Sequence, residues 1–383
     1  MDKATMREVT ERFLPMIADR PLSDEQANAL RCIRNCRTAE MGAHVSECTE
    51  CGATFIHYNS CKNRHCPMCQ GMDVDEWIDL RREDVLEAPY FHVVFTIPSQ
   101  LYSLAHVNQR LLYDALYHAA NRTLTELSAD PKRFGARIGF ICVLHTWGSK
   151  LNYHPHLHVI VLGGGLDRLN RWKDRGKKFF LPVKVMSAVF KKHYLAELKE
   201  LRESGSLAFV GKCEGLRNEH AFKELLDGLY GMDWIAYSKK TFAGAREVFS
   251  YLGKYTHRIA ISNQRIIGMD EKNVTFYAKD YEKDGRYKPC VLSGERFLSR
   301  FLLHVLPSGF VRIRYYGLLA CRCKKDKISL CRKLLGCQEY QSLLRGKTAA
   351  EKIKILYGRD VTKCLKCGEG LVTRVVRGRC MLC

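Results

Sequence analysis

The run Tyr153-His154-Pro155-His156-Leu157-His158-Val159-Ile160-Val161 restricts the fold of this chain more than any other segment. Side chains on a strand alternate between its two faces, so Leu157, Val159 and Val161 turn into a core while His156 and His158 share the opposite face. Two imidazoles on a rigid, half-buried mount converge on one metal ion. A lone histidine at a strand end usually just satisfies a hydrogen bond; a His-x-His pair flanked by a further histidine fits that reading less well. A second strand over 139–147 ends in Leu144-His145-Thr146-Trp147, and a hairpin through 148–155 would bring His145 alongside as third ligand, with His154 and His257 as the other candidates.

Charge narrows the partner. With 62 Lys and Arg against 41 Asp and Glu, the net charge is +21 and a polyanion is the expected ligand. A membrane surface is the rival polyanion, yet no stretch approaches the roughly 18 apolar residues of a spanning helix. The first fifteen residues are charged and carry no secretion signal, so the expected location is the cytoplasm, in association with the nucleoid. In such a reducing compartment the 18 cysteines, many in Cys-x-x-Cys groups, point to zinc rather than disulfides.

Residues 32–69 are dense in Cys and His and poor in apolar runs, so metal must stabilise this segment. Cys48-x2-Cys51 and Cys66-x2-Cys69, 14 residues apart, predict a four-cysteine zinc site. Cys36, His44, Cys61 and His65 are left as a second possible set, in which Cys32 competes for a place. Lys62 and Arg64 make the module a candidate DNA reader, beside the plainer role of a zinc clip. At the other end, Cys364-x2-Cys367 and Cys380-x2-Cys383 predict a zinc ribbon with a hairpin over 371–379. Cys321, Cys323, Cys331 and Cys337 are irregularly spaced and read as buried or free thiols among basic residues that can line a DNA path.

Ala88-Pro89 closes a helix-like stretch, and 90–97 reads as a strand stopped by Pro98. Further helices are expected over 101–127, 187–202 and 245–258. Strands are expected over 139–147, over 157–162 with Gly163-Gly164-Gly165 ending it, and near 259–261, 274–277 and 311–314. Irregular alternation with short spacings fits an α+β domain with a largely antiparallel sheet. The predicted division is a zinc-binding segment 1–88, a central domain 89–340 and a C-terminal ribbon 341–383. On the helix over 245–258, Val248, Phe249 and Leu252 form an apolar stripe. Tyr251 and Tyr255 border it beside Lys254 and Arg258, and being i,i+4 neighbours both phenols can address one site. Aromatic packing is the commoner fate of such tyrosines; the His pair gives this one weight.

Taken in order, these blocks resemble the HUH (His, hydrophobic, His) endonucleases, and more narrowly the two-tyrosine rolling-circle transposases of the insertion-sequence-91 family. The resemblance rests on the segment 59–69, on Tyr90-Phe91-His92 and the strand after it, and on His145 with His154-Pro155-His156-Leu157-His158. It continues through Tyr251-Leu252-Gly253-Lys254-Tyr255 and the block 309–320. It implies an HUH-like antiparallel sheet flanked by helices, and an enzyme that nicks single-stranded DNA at element ends, keeps a 5′-phosphotyrosine link and releases a 3′-OH. Lys62, Arg64, Lys254, Arg258, Arg312 and Arg314 are the expected DNA contacts.

A phenol with a pKa near ~10 is a poor nucleophile at neutral pH, so a divalent ion on His156, His158 and His145 is needed, Mg²⁺ or Mn²⁺ by the chemistry of the ligands. The phosphotyrosine ester conserves the energy of the broken bond, so no ATP is required, and Gly211-Lys212-Cys213 lacks the hydroxyl residue of a phosphate loop. Both phenols in one chain fit a monomer acting on element ends and target. Two readings compete with transposition: a rolling-circle replication initiator using the same chemistry, and a zinc-containing DNA-binding protein without catalysis.

Overall fold

Capping boxes start the chain. Thr5 with Glu8 opens α1 (Met6–Phe13), and Ser23 with Gln26 opens α2 (Asp24–Asn35), each side chain satisfying a backbone N–H that the first helical turn leaves unpaired. A hairpin follows, β1 (Ala43–Cys48) and β2 (Thr54–Tyr58), and then α3 (Gly71–Arg82). The computed structural model describes residues 4–174, 181–242, 253, 260–280 and 285–376, with backbone alone at 239–242 and 372–376.

The central sheet is antiparallel and mixed with helices, the α+β class expected. It contains β3 (Tyr90–Thr96), β4 (Arg137–Trp147), β5 (Tyr153–Leu166), β7 (Ala236–Phe242) and β11 (Ile313–Gly317) in the order β11-β4-β5-β3-β7, with the short β6 (Trp172–Asp174) paired to β5. One face, carrying Val93, Phe95, Phe140, Cys142, Leu157, Val159 and Val161, packs on α4 (Tyr102–Val107), α5 (Gln109–Ala129) and α6 (Val183–Glu203), and α7 (Glu219–Gly231) joins the same core through Phe222 and Leu229. The other face carries Tyr90, Ile141, Val143 and Ile160, with Trp77 and Ile78 of α3 packed against them.

Several element boundaries differ from expectation for identifiable reasons. The helix expected over 101–127 is broken at Asn108, whose side-chain amide donates to Leu104 and Ala208 carbonyls while its oxygen accepts from Ala208 N–H. Gly163-Gly164-Gly165 does not end β5, which runs on to Leu166. At these positions a Cβ would meet the Pro89 carbonyl at 2.7 Å, the Trp172 ring at 2.1 Å and the Arg137 carbonyl at 2.3 Å, so the glycines admit close neighbours rather than punctuate. Ala260 and Ile261, expected in a strand, are irregular and buried. The helix expected over 245–258 lies outside the described residues except for Gly253, which is helical.

Packing contacts cross the positions 88 and 340. A second core joins Met6, Phe13, Ile33, Cys36 and Cys66 to Phe276, Phe297 and Phe301. It is covered by β8 (Ile266–Met269), β9 (Asn273–Asp280) and β10 (Arg286–Ser293), and by α8 (Gly294–Leu302). The next helix, α9 (Lys324–Leu335), returns to the central domain and packs Ile328 and Cys331 beside Tyr90 and Ile141. The C-terminal stretch is bound to the N-terminal one: Asp79 on α3 accepts from Tyr340, Ser342 and the Leu344 N–H. Strand β12 (Leu371–Val376) pairs along the whole of β1, Cys48 opposite Leu371. Of the hairpin expected over 371–379, residues 371–376 join a three-stranded sheet, β12-β1-β2, that draws chain from both ends, and 377–379 lie outside the described residues.

Candidate active site

Strand pairing sets His145 opposite His156 across β4 and β5, and Val143 opposite His158. One nitrogen from each of His145, His156 and His158 lies within 4.8 Å of the others. The turn between the strands is clamped. Gly148 N–H donates to the Asn152 carbonyl, and Leu151 is held buried in a left-handed conformation that costs ~1 kcal/mol. Arg265 donates to Ser149 O at 2.5 Å and Arg300 to Lys150 O at 2.8 Å. His304, buried between Thr146 and the Leu151 carbonyl, completes the clamp, and burial first of all lowers its pKa to about 4.

Hydrogen bonding fixes which nitrogens face the centre. His156 Nδ1 donates to the His154 carbonyl at 2.6 Å, an acceptor only, so Nε2 keeps its lone pair. That Nε2 lies 3.1 Å from His158 Nε2. His158 Nδ1 is 2.8 Å from His92 Nε2, the two rings stacked at 5.0 Å, so with His158 donating to His92 both inward nitrogens present lone pairs to one point. A separation of 3.1 Å is what two adjacent ligands at about 90° make on an ion with bonds of ~2.1–2.2 Å. Burial, ahead of the neighbouring His154, lowers His156 to about 3, which keeps it neutral and able to ligate at physiological pH. His154 itself is turned to Tyr102, its Nδ1 2.5 Å from the phenol oxygen.

His92, of the block Tyr90-Phe91-His92, is the residue that orients His158. Its signal is positional: on β3 it stands two residues from Val94, the partner of His158, and on the same face. A group that orients a ligating imidazole commonly governs metal affinity. His92→Ala is expected to weaken Mn²⁺ binding about 10- to 100-fold, with His92→Gln, which retains an amide acceptor, closer to wild type. Calorimetric titration checks this, and an unchanged Mn²⁺ affinity in His92→Ala would remove the orienting role.

Tyr251, Tyr255, Lys254, Arg258 and His257 lie outside the described residues, as do Cys380 and Cys383. Gly253 lies against Ile78 of α3, where an added Cβ would come within 2.3 Å of the isoleucine Cδ1, on the side of the central sheet that bears the histidines. Of the basic candidates, Lys62 is exposed. Arg64 donates to the Phe310 carbonyl at 2.8 Å, and burial followed by repulsion from Arg64 lowers Arg312 to about 10. Arg314 has a packing role instead: Asp114 pairs with it, and it covers the Tyr117 ring at 4.0 Å.

The cysteines group otherwise than their spacing predicts. Cys36, Cys61, Cys66 and Cys69 form one tetrad, and Cys48, Cys51, Cys364 and Cys367 another, each with its sulfurs within 4.8 Å. The reason is the β1–β2 hairpin. Its turn holds Cys48 and Cys51, whereas Cys36 and Cys61 flank its open end, where Ala43 faces Tyr58. Five residue steps of strand separate the two ends by ~17 Å, far beyond what bonds of ~2.3 Å to one zinc can span. His44 sits within β1 and His65 accepts from the Leu306 N–H, so neither joins a tetrad, and Cys32 is turned to Asn28. Among the described residues, Cys321, Cys323, Cys331 and Cys337 form no tetrad. In the first tetrad, hydrogen bonds with Cys61, Cys66 and Cys69 pull the Cys36 thiol far down, and those with Cys36, Cys66 and Cys69 push Cys61 up. In the second, the Cys367 backbone N–H is the main cause lowering Cys364 to about 7.

Two family models match, one described as "Transposase zinc-binding domain" over residues 6–97 and one as "Putative transposase" over residues 139–327. The first spans the whole of one tetrad and half of the other, the second the His-bearing hairpin. A transposase with a zinc-binding domain is thus the class of protein that the two matches define. Among relatives, the chain is 41% identical to "Putative transposase y4qJ" of Sinorhizobium fredii, over 91% of this chain and 88% of that protein. It is 32% identical to the transposase for insertion sequence element IS801 of Pseudomonas savastanoi pv. phaseolicola, over 79% of this chain and 72% of that one. The chain belongs to the insertion-sequence-91 family of rolling-circle DNA transposases. A solved structure of the conjugative relaxase TrwC with mutant OriT DNA matches at 16% identity and a TM-score of 0.24, over 42% of this chain and 70% of that one, too slight a likeness to bear on the fold. Among the described residues no helix is long and apolar enough to cross a membrane.

Proposed function

We propose that this transposase nicks and rejoins single-stranded DNA at element ends, with Tyr251 and Tyr255 as successive nucleophiles and with His145, His156 and His158 as ligands of Mg²⁺ or Mn²⁺. The observation that carries the reading is the convergence of three imidazole nitrogens within 4.8 Å on a clamped hairpin. The seat of Gly253 on the same side of the sheet supports it, since the two tyrosines flank that residue.

The phenolic oxygen attacks phosphorus and the bond from phosphorus to the 3′ oxygen breaks. The phenol loses its proton to solvent and the departing 3′ oxygen gains one, which leaves a 5′-phosphotyrosine and a free 3′-OH. Rejoining is the reverse attack by a 3′-OH, so bond energy is retained and ATP plays no part. A divalent ion bound by the histidines supplies a Lewis acid that polarises the phosphate. The chain's own contribution is to hold His156 neutral and its Nε2 aimed inward, with His92 and the His154 carbonyl fixing the rings. Arg64 and Arg312 are like charges held near each other, an arrangement that an anionic backbone relieves, and Lys254 and Arg258, neighbours of the two tyrosines in sequence, are proposed as further phosphate contacts. Both phenols in one chain allow successive transfers by a monomer in the cytoplasm.

Single-stranded DNA carrying an element end is incubated with the protein and Mn²⁺, and the products are separated on a denaturing gel. A covalent adduct is expected that disappears with chelator and in the variant carrying both Tyr251→Phe and Tyr255→Phe. An adduct that persists in the double variant would reject these nucleophiles.

A further inference from the structure

Between the two cysteine tetrads lies a cleft of about 820 Å³. One wall carries Phe55 of β2, Lys62 and the segment around Cys69; the other is the end of α10 (Ala349–Tyr357) and the turn that opens at Cys364. The second wall is docked on α3, where Lys352 pairs with Glu76 at 2.6 Å and the Tyr357 hydroxyl donates to Asp75 at 2.7 Å. Cys69 of one tetrad lines the first wall, and Lys363 and Leu365, which flank Cys364 of the other, line the second.

Four cations line the cleft, Arg37, Lys62, Arg359 and Lys363. All are exposed, and none makes an ion pair among the described residues. Asp73 is the one carboxylate among the lining residues. A run of charge is usually just a solvated face, but this one holds large apolar groups out to water: Tyr357 is 55% exposed and Leu365 64%. The hydroxyl bond to Asp75 orients the Tyr357 ring and leaves its surface open.

We infer that this cleft is a second DNA subsite, distinct from the histidine centre, which takes unstacked nucleotides of a single strand: phosphates on the four cations, a base against Tyr357 or Phe55. Cations tracking a backbone beside aromatic platforms are how single strands are gripped without regard to sequence. A volume of this order suits one or two nucleotides and not a duplex. A flat lipid surface cannot enter a concave cleft. The inference rests on the reading of the chain as an enzyme of single-stranded DNA. It adds that the N- and C-terminal modules, joined through β1 and β12, grip the strand together.

Fluorescence anisotropy with a labelled single-stranded oligonucleotide, repeated over a salt series, tests it on the full zinc-loaded chain. The variant carrying Arg359→Glu and Lys363→Glu is expected to bind at least ~10-fold more weakly, with a salt slope lower by about 1.4 for two lost phosphate contacts. Tyr357→Ala is expected to lose roughly 5- to 150-fold in affinity and to abolish quenching of a 2-aminopurine base in the oligonucleotide. Wild-type affinity and slope in these variants would overturn the subsite, as would equal binding of duplex by the wild type. If the double variant loses zinc, Arg359→Gln replaces it, with an expected fall of about 0.7 in the slope; no fall overturns the inference. Covalent adduct formation is scored separately on the wild type. An adduct with unaffected variants defeats the cleft alone, and a working cleft with no adduct defeats the nuclease reading alone.

Discussion

His156→Ala or His158→Ala is expected to lower the rate of covalent adduct formation by at least ~1,000-fold at fixed Mn²⁺, with zinc content and circular dichroism unchanged. Each substitution removes one of three nitrogens that converge within 4.8 Å. A phenol with a pKa near ~10 cannot compensate, because the polarisation of the phosphate is worth several kcal/mol, about 1.4 for each factor of ten. Neither ring is needed to hold the sheet, since β5 is anchored by Leu157, Val159 and Val161 on its other face. Loss of rate therefore reports on chemistry and not on folding. Partial recovery is expected in His158→Ala at high Mn²⁺, because His145 and His156 remain as ligands. A variant lacking either imidazole that forms adduct at the wild-type rate would remove the metal centre from the mechanism.

The sequence made the centre of the fold legible wherever the signal was local. Period-two alternation places Leu157, Val159 and Val161 in a core and His156 with His158 on the other face, and a short loop between two strands brings His145 opposite His156. It was less legible where the cause lies far along the chain. The role of His92 depends on strand register, 66 residues from His158. The glycines at 163–165 mark a break only to a reader unaware that Trp172, Pro89 and Arg137 crowd them. The borders at 88 and 340 follow composition, but the second core is assembled from residues before 70 and after 259, with Leu151 of the β4–β5 turn between them.

Cysteine partnership is the plainest case of this limit, and a local clue existed. Cys48-x2-Cys51 and Cys364-x2-Cys367 are each followed by a glycine, Gly52 and Gly368, in the left-handed conformation. Each glycine N–H returns to the carbonyl of the first cysteine, at 3.0 Å and 2.9 Å. Cys66-x2-Cys69 is followed by Gln70. The two matching turns are the two that meet, with Cys48 Sγ 3.4 Å from Cys367 Sγ and Cys51 Sγ 3.7 Å from Cys364 Sγ.

That partnership yields the second large effect. Combining Cys48→Ser with Cys364→Ser is expected to release a single zinc ion per chain, because both substitutions strike one tetrad. Combining Cys48→Ser with Cys66→Ser is expected to release two. The set Cys48, Cys51, Cys66 and Cys69 that spacing favours predicts the reverse on both counts, so metal analysis of the two double variants decides between them. The costs differ as well. A structural zinc contributes on the order of 10–16 kcal/mol of apparent binding energy, which couples to folding wherever the ligands organise a core. Cys36, Cys61 and Cys66 are buried within the second core, beside Ile33 and Met41. Cys66→Ser is therefore expected to unfold the N-terminal module and lower the thermal transition by more than Cys364→Ser, whose tetrad includes the exposed Cys367 at the edge of β12-β1-β2. Equal transitions, or a Cys48 and Cys66 pair that releases only one ion, would dissolve the two tetrads and with them the walls of the cleft between.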